Sequence, residues 1–220
     1  MLKNKKIVFL GDSITEGSLA SDYSKSFVSV FQKETGLEVY GLGIGGTRFA
    51  YQKRPSIGDL KFDRFFESRL YEIPSDADVI VVFGGTNDYG HGDASFGLDD
   101  DETIYTFCGA LNSIMTKLKI IFPNAQLIFA TPLRRMEEDK ESLNAYGFSH
   151  QGTLLDYRNA IIRIASKHNI PVLDLYTIYP VDPTTQENRN KYMPDGLHPN
   201  DLGHKMLAEI FVKYLSNFIK

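Results

Sequence analysis

The 220-residue chain has a single cysteine, Cys108, which excludes an intrachain disulfide framework and any metal site built from several thiolates. No block of five like charges occurs, and 24 Lys+Arg against 28 Asp+Glu leave a formal net charge of −4. A protein that holds nucleic acid through a basic surface is therefore not expected. Long apolar runs are missing too: nothing approaches the roughly 18 residues of a membrane span, so no membrane insertion is expected. The first apolar run, Ile7-Val8-Phe9-Leu10, is too short for the core of a secretion signal. There is no internal repeat, low-complexity tract or linker. These absences lead to the expectation of one domain over residues 1–220, in the cytoplasm. Cys108 lies inside an amphipathic segment and is expected to be a packing residue, not a nucleophile.

What the chain does have is an alternation of short apolar runs with longer segments of helical period. Strands are expected at 7–10, 38–42, 79–83, 127–130 and 171–175, and helices at 26–35, 103–122, 154–168 and 201–218. Gly36 and Pro123-Asn124 supply stop signals after the first two helical segments. Such alternation predicts an α/β fold with helices on both faces of a parallel sheet. Five strands suit the flavodoxin-like order 2-1-3-4-5. Two segments, 132–153 and 176–199, are too long for simple connections and are expected to carry or cover a site.

In an open parallel sheet, ligands bind beyond the carboxyl ends of the strands. Gly11-Asp12-Ser13 follows the first strand, Gly41-Leu42-Gly43-Ile44-Gly45-Gly46-Thr47-Arg48 the second, and Gly84-Gly85-Thr86-Asn87-Asp88 the third. Asp195-Gly196-Leu197-His198 follows the fifth through the longer segment. With strand 1 between strands 2 and 3, Ser13 is flanked by a glycine turn and by Asn87. That is a nucleophile with backbone and amide N–H donors on either side, the layout that acyl transfer needs for its oxyanion. Asp195 stands three residues before His198, close enough to hold one ring nitrogen while the other faces a serine. Each residue also has a plainer reading. Ser13 suits a helix N-cap, Asn87 a local turn, the glycines a tight turn, and His198 a surface position before a helix.

Taken together, these segments resemble the conserved blocks of the SGNH hydrolases, the GDSL-type esterases and lipases. Gly11-Asp12-Ser13 matches the first block, Gly46 the second, Gly85-Thr86-Asn87-Asp88 the third and Asp195-Gly196-Leu197-His198 the last. The resemblance implies a three-layer α/β/α sandwich and ester hydrolysis with no cofactor and no metal. It also implies Ser13 as nucleophile, His198 as base and then acid, and Asp195 as its orienting partner. The Ser13 N–H, the Gly46 N–H and the Asn87 side chain would form the oxyanion hole. The second block normally opens with asparagine where this chain has Gly41, so Gly45 stays open as an alternative donor to Gly46. Asp12 reads as a structural residue of the turn in preference to a second catalytic acid.

The expected partner is a small-molecule ester with a short acyl group, such as an O-acetylated carbohydrate. Lysophospholipid or thioester hydrolysis on the same scaffold is the alternative. Arg48 and Arg134 are candidate contacts for an anionic or sugar group, against a plainer reading as solvated or ion-paired residues. Glu137 to Glu141 is expected to be a solvated lid edge, with Tyr146 and Phe148 as its apolar underside. Two other classes compete. Residues 41–46 fit G-x-G-x-x-G, as in a nucleotide-binding module, but 47–58 make a poor start for the required helix. Asp12, Asn87, Asp88, His91 and Asp93 offer oxygen and nitrogen ligands for a metal-dependent phosphoesterase, without histidines at ligand spacing.

Overall fold

Strands that read as unbroken apolar runs must be covered on both faces, and here they are. The computed structural model describes residues 5–54, 60–140 and 152–218. In chain order its elements are β1 (Lys6–Gly11), α1 (Ser13–Glu16), α2 (Phe27–Thr35), β2 (Glu38–Gly43), β3 (Val79–Phe83) and α3 (Thr86–His91). Then follow α4 (Phe107–Ile121), β4 (Gln126–Ala130), α5 (Leu154–Lys167), β5 (Val172–Leu173), α6 (Leu175–Ile178), α7 (Gln186–Tyr192) and α8 (Asp201–Leu215). The five strands form one parallel sheet in the order β2-β1-β3-β4-β5, as the alternation predicts.

Alternate residues of each strand feed two cores. Val8, Leu10, Ile80, Val82 and Phe129 pack against α4 and α5 through Leu111, Met115, Ile161 and Ile164. Ile7, Phe9, Val81 and Phe83 face α2 and α8 through Phe27, Phe31, Leu207 and Phe211. Phe9 meets the rings of Phe27, Phe31 and Phe211 edge-on at 5.1–5.3 Å. Burying each such ring stabilises the fold by roughly 1.5–3 kcal/mol. Cys108 lies in the first core, and burial pushes its thiol up to about 11.

Local signals set the element ends. The Ser26 hydroxyl caps α2 at Ser29 N–H, and Gly36 ends that helix in the left-handed region with φ 67°. The fourth helix starts at Phe107 rather than Thr103, because the Thr106 hydroxyl accepts from Gly109 N–H and takes the capping position. The fifth strand shrinks to two residues. Asp174 leaves the sheet to begin α6, and its carboxylate takes the Thr131 hydroxyl and the Arg158 guanidinium. Residues 176–199 are not mere loop but include α7, whose sequence QENRNKY buries no side chain and so carries no apolar period. In the other long segment Glu138, expected to be solvated, is buried because it accepts from the Arg134 side chain and the Arg135 N–H. Glu141, Tyr146 and Phe148 lie outside the described residues. No helix among the described residues is long and apolar enough to cross a membrane.

For function, the register is the main result. Gly11 of β1 stands opposite Gly43 of β2 and Phe83 of β3. Three strand ends therefore release Ser13, the Ile44–Gly46 turn and Asn87 at one level of one sheet edge.

Candidate active site

Ser13 is the first residue of α1, directly after β1, and is 9% exposed. The Asp12 carboxylate accepts from Ile14 N–H at 3.0 Å and so caps that turn. His198 immediately precedes Pro199 and Asn200, and Asn200 caps α8 through Leu202 and Gly203 N–H. The cap and the proline set where the imidazole leaves the helix. Its Nε2 lies 2.8 Å from Ser13 Oγ, and its Nδ1 lies 2.6 Å from Asp195 Oδ2. The Asp195 Oδ1 accepts from Leu197 N–H at 2.9 Å and His198 N–H at 2.7 Å. Burial pushes the Asp195 carboxyl upward, but the His198 ring and these two N–H groups outweigh it and hold it at about 2. An anion there makes Nδ1 the protonated ring nitrogen. Nε2 is then an acceptor for the serine hydroxyl, the arrangement that lets a serine attack a carbonyl.

The segment that carries Asp195 and His198 spans three inter-strand gaps from beyond β5 to β1, roughly 14 Å at about 4.8 Å each. It is held by a bond from Met136 N–H to Gly196 O at 2.8 Å. Gly196 has φ 75°, and a Cβ there would stand 2.6 Å from the Met136 Cβ, so only glycine fits.

Ile44 to Thr47 form the turn after β2. Gly45 N–H donates to the Glu16 carboxylate at 2.8 Å and is therefore engaged. Gly46, at φ 74°, has no acceptor for its N–H among the described residues. Asn87 is buried in α3. Its Nδ2 donates to Thr47 O at 3.0 Å, and its Oδ1 accepts from His91 Nε2 at 3.0 Å. His91 Nδ1 in turn accepts from the Arg48 guanidinium at 3.0 Å. The Asp88 carboxylate accepts from Phe49 and Ala50 N–H, both at 3.0 Å, and pins the chain just beyond the glycine turn to α3. Burial pushes both Asp88 and Asp12 up to about 6. Under the site, the fully buried Arg69 donates to Gly11 O at 2.9 Å, Thr47 Oγ1 at 3.2 Å and Leu42 O, tying the ends of β1 and β2 together.

Ser13, His198 and Asp195 thus meet in one hydrogen-bonded chain, with the Gly45–Gly46 turn and Asn87 beside it. The two arginines expected near substrate are both engaged by groups of the protein itself. Arg48 is 2% exposed and points inward to His91 and the Phe62 carbonyl. Arg134 is ion-paired with Glu138 and Asp182. Asp93 accepts from Lys53 and Arg54 N–H. Among the described residues no three His, Cys, Asp or Glu side chains converge as metal ligands. The glycine turn leads into non-helical residues 47–54, so no helix N-terminus follows it to receive a pyrophosphate.

Sequence reasoning missed the part played by His91, although Asn87 and His91 stand at i and i+4 on one helix and must share a face. It also missed Arg69 and Glu16, whose partners are distant in sequence or are backbone groups and leave no pattern to read.

The GDSL-like lipase/acylhydrolase family model matches residues 9–206. A solved structure of a protein from Lactobacillus plantarum is 29% identical, covers 97% of each chain and superposes with a TM-score of 0.79. A second solved structure, also 29% identical, covers 98% of each chain with a TM-score of 0.83. A carbohydrate acetylesterase family member from Sinorhizobium meliloti shares the fold at 17% identity and a TM-score of 0.65, covering 98% of this chain and 99% of its own. No curated protein sequence matches this one.

Proposed function

The chain belongs to the GDSL-like lipase/acylhydrolase family and is a carboxylic ester hydrolase, and from that premise we propose how its residues divide the work. Ser13 Oγ attacks the ester carbonyl while His198 Nε2 takes its proton. Asp195 accepts the Nδ1–H and stabilises the imidazolium that forms. The negative charge that develops on the carbonyl oxygen is met by the N–H groups of Ser13 and Gly46 and by Asn87 Nδ2. His198 then returns the proton to the leaving alkoxide as the C–O bond breaks. Water, deprotonated by the same nitrogen, releases the acid from the acyl-serine. The observation that carries this reading is the Ser13–His198–Asp195 chain, at 2.8 and 2.6 Å. Gly46 is preferred over Gly45 as donor because the Gly45 N–H already serves Glu16.

The substrate is read as a small ester with a short acyl group, such as an O-acetylated sugar. Supporting this, the His198 imidazole stands against Ser13 Oγ and the Glu16 carboxylate against the Gly45 N–H, with the Phe62 ring beside the glycine turn. They suit a compact acyl group and a hydroxylated alcohol better than a long alkyl chain. The Sinorhizobium meliloti acetylesterase, alike in fold, is consistent with that choice. The test combines a p-nitrophenyl ester series of rising acyl length with acetylated sugars as competitors. A fluorophosphonate should label wild type at Ser13 and leave Ser13→Ala unlabelled and inactive. Undiminished turnover by Ser13→Ala overturns the mechanism, and a preference for long acyl chains overturns the substrate reading.

A further inference from the structure

His91 has no part in the reaction as described, yet it is the link between a buried cation and an oxyanion donor. Arg48 can only donate hydrogen bonds, so the His91 Nδ1 that it meets at 3.0 Å must carry a lone pair. The proton of the neutral ring therefore sits on Nε2 and points at Asn87 Oδ1, 3.0 Å away. With Oδ1 occupied, the Asn87 amide presents its NH2 to the other side. One hydrogen goes to Thr47 O at 3.0 Å, and the second is the one available to an oxyanion.

We propose that His91, backed by Arg48, is a positioning residue that fixes the Asn87 amide and polarises it toward the oxyanion of the acylation reaction. The proposal rests on the reading of Ser13 and Asn87 given above. Guanidinium, imidazole and amide form one directional series, each group donating to the next. Hydrogen bonds in such a buried series strengthen one another. A histidine that merely filled space would not need to be aimed at both groups by its two ring nitrogens. Burial, with the nearby Arg48 and Arg135 charges, holds its pKa at about 3, so the ring keeps this donor–acceptor sense at ordinary pH. Asn87 and Thr47 belong to different strand ends, and the His91–Arg48 pair bridges the same two segments from behind. The glycine turn and the amide are thereby kept in register.

The test compares His91→Leu, His91→Gln, Asn87→Ala and the Asn87→Ala/His91→Leu double variant on p-nitrophenyl acetate. Loss of an oxyanion donor costs about 100- to 1000-fold in kcat, and misplacing one costs less, so H91L should lose about 10- to 100-fold in kcat with KM little changed. Glutamine can donate to Asn87 and accept from Arg48, so H91Q should recover most of that loss. Because His91 acts through Asn87, the double variant should be no slower than N87A alone. Wild-type kcat in H91L, or a double variant slower by the product of the two single losses, overturns the proposal. If H91L does not fold, as judged by its thermal melt, His91→Phe, which also lacks a donor and an acceptor, takes its place with the same outcomes. Retained turnover in Ser13→Ala overturns the site reading and this proposal together. Loss in Ser13→Ala with wild-type kcat in H91L overturns this proposal alone.

Discussion

Asp88 offers the most quantitative test of how the site is held. Its two carboxylate oxygens accept from the N–H groups of Phe49 and Ala50, in a pocket where all three residues are buried. Asp88→Ala leaves both donors buried without a partner. At about 1–3 kcal/mol per orphaned group, the loss should be roughly 2–6 kcal/mol, a large share of a typical domain's stability. Asp88→Asn keeps one acceptor but turns an NH2 toward the second donor, and should cost about 1–3 kcal/mol.

The pH dependence carries a sign that separates this account from a generic loss of packing. Desolvation by burial, the largest influence, raises the Asp88 carboxyl to about 6 from an ordinary 3.8, against the hydrogen bonds from Ala50 and Phe49. An acid raised on folding binds its proton more tightly in the native state, so its contribution falls as pH rises through the window from 3.8 to about 6. That fall amounts to about 3 kcal/mol. Asparagine does not titrate. The deficit of D88N relative to wild type should therefore be largest near pH 4 and shrink by up to about 3 kcal/mol by pH 8. Urea unfolding at pH 4, 6 and 8, with the slope against denaturant checked for constancy, measures it. A deficit that stays flat with pH, or grows toward pH 8, refutes the reasoning, as does a D88A cost below about 0.5 kcal/mol.

Two further predictions concern neighbouring groups. Gly46 stands at φ 74°, whereas a Cβ on Gly45 would meet mainly the Glu16 carboxylate, at 2.9 Å, which is the end of a movable side chain. Gly46→Ala should cost about 1–2 kcal/mol of stability and much of kcat, while Gly45→Ala stays closer to wild type in both, as thermal melts and ester kinetics would show. The Asp12 side chain serves Ile14 N–H, so Asp12→Asn should keep the cap and most of the activity, and Asp12→Ala should lose about 0.5–2 kcal/mol. If D12N were as inactive as S13A, a proton-carrying role for Asp12 would replace the structural one.

How much of this could be read beforehand depended on the range of the interactions. The parallel sheet is legible because runs such as Val79–Phe83 are apolar at every residue, as strands covered on both faces require, and its order follows from the count of five strands. The rule that ligands gather beyond the strand ends then suffices to group Ser13, the glycine turn, Asn87 and His198. Shorter helices escaped for the opposite reason. The α7 segment fully buries no side chain and lays only Tyr192 against the core, so no apolar period marks it, and only the capping Thr185 hints at its start. The apolar spacing starts the fourth helix four residues too early because Ile104 fits it by chance, while a single hydroxyl at Thr106 decides the boundary.

The arginines make the larger point. A charged residue beside a glycine turn invites a ligand-binding role, and for Arg48 that expectation ignores the other answer to the same electrostatics. A guanidinium inside the fold needs acceptors, and His91 and the Phe62 carbonyl supply them. Arg69 obeys the same rule by collecting the carbonyls that end β1 and β2. Both cations lie behind the turn whose Gly46 N–H is read as an oxyanion donor. They hold it in place from the interior of the fold. Backbone carbonyls occur at every residue and leave no mark in a sequence, so such supports become visible only once the strands are in register.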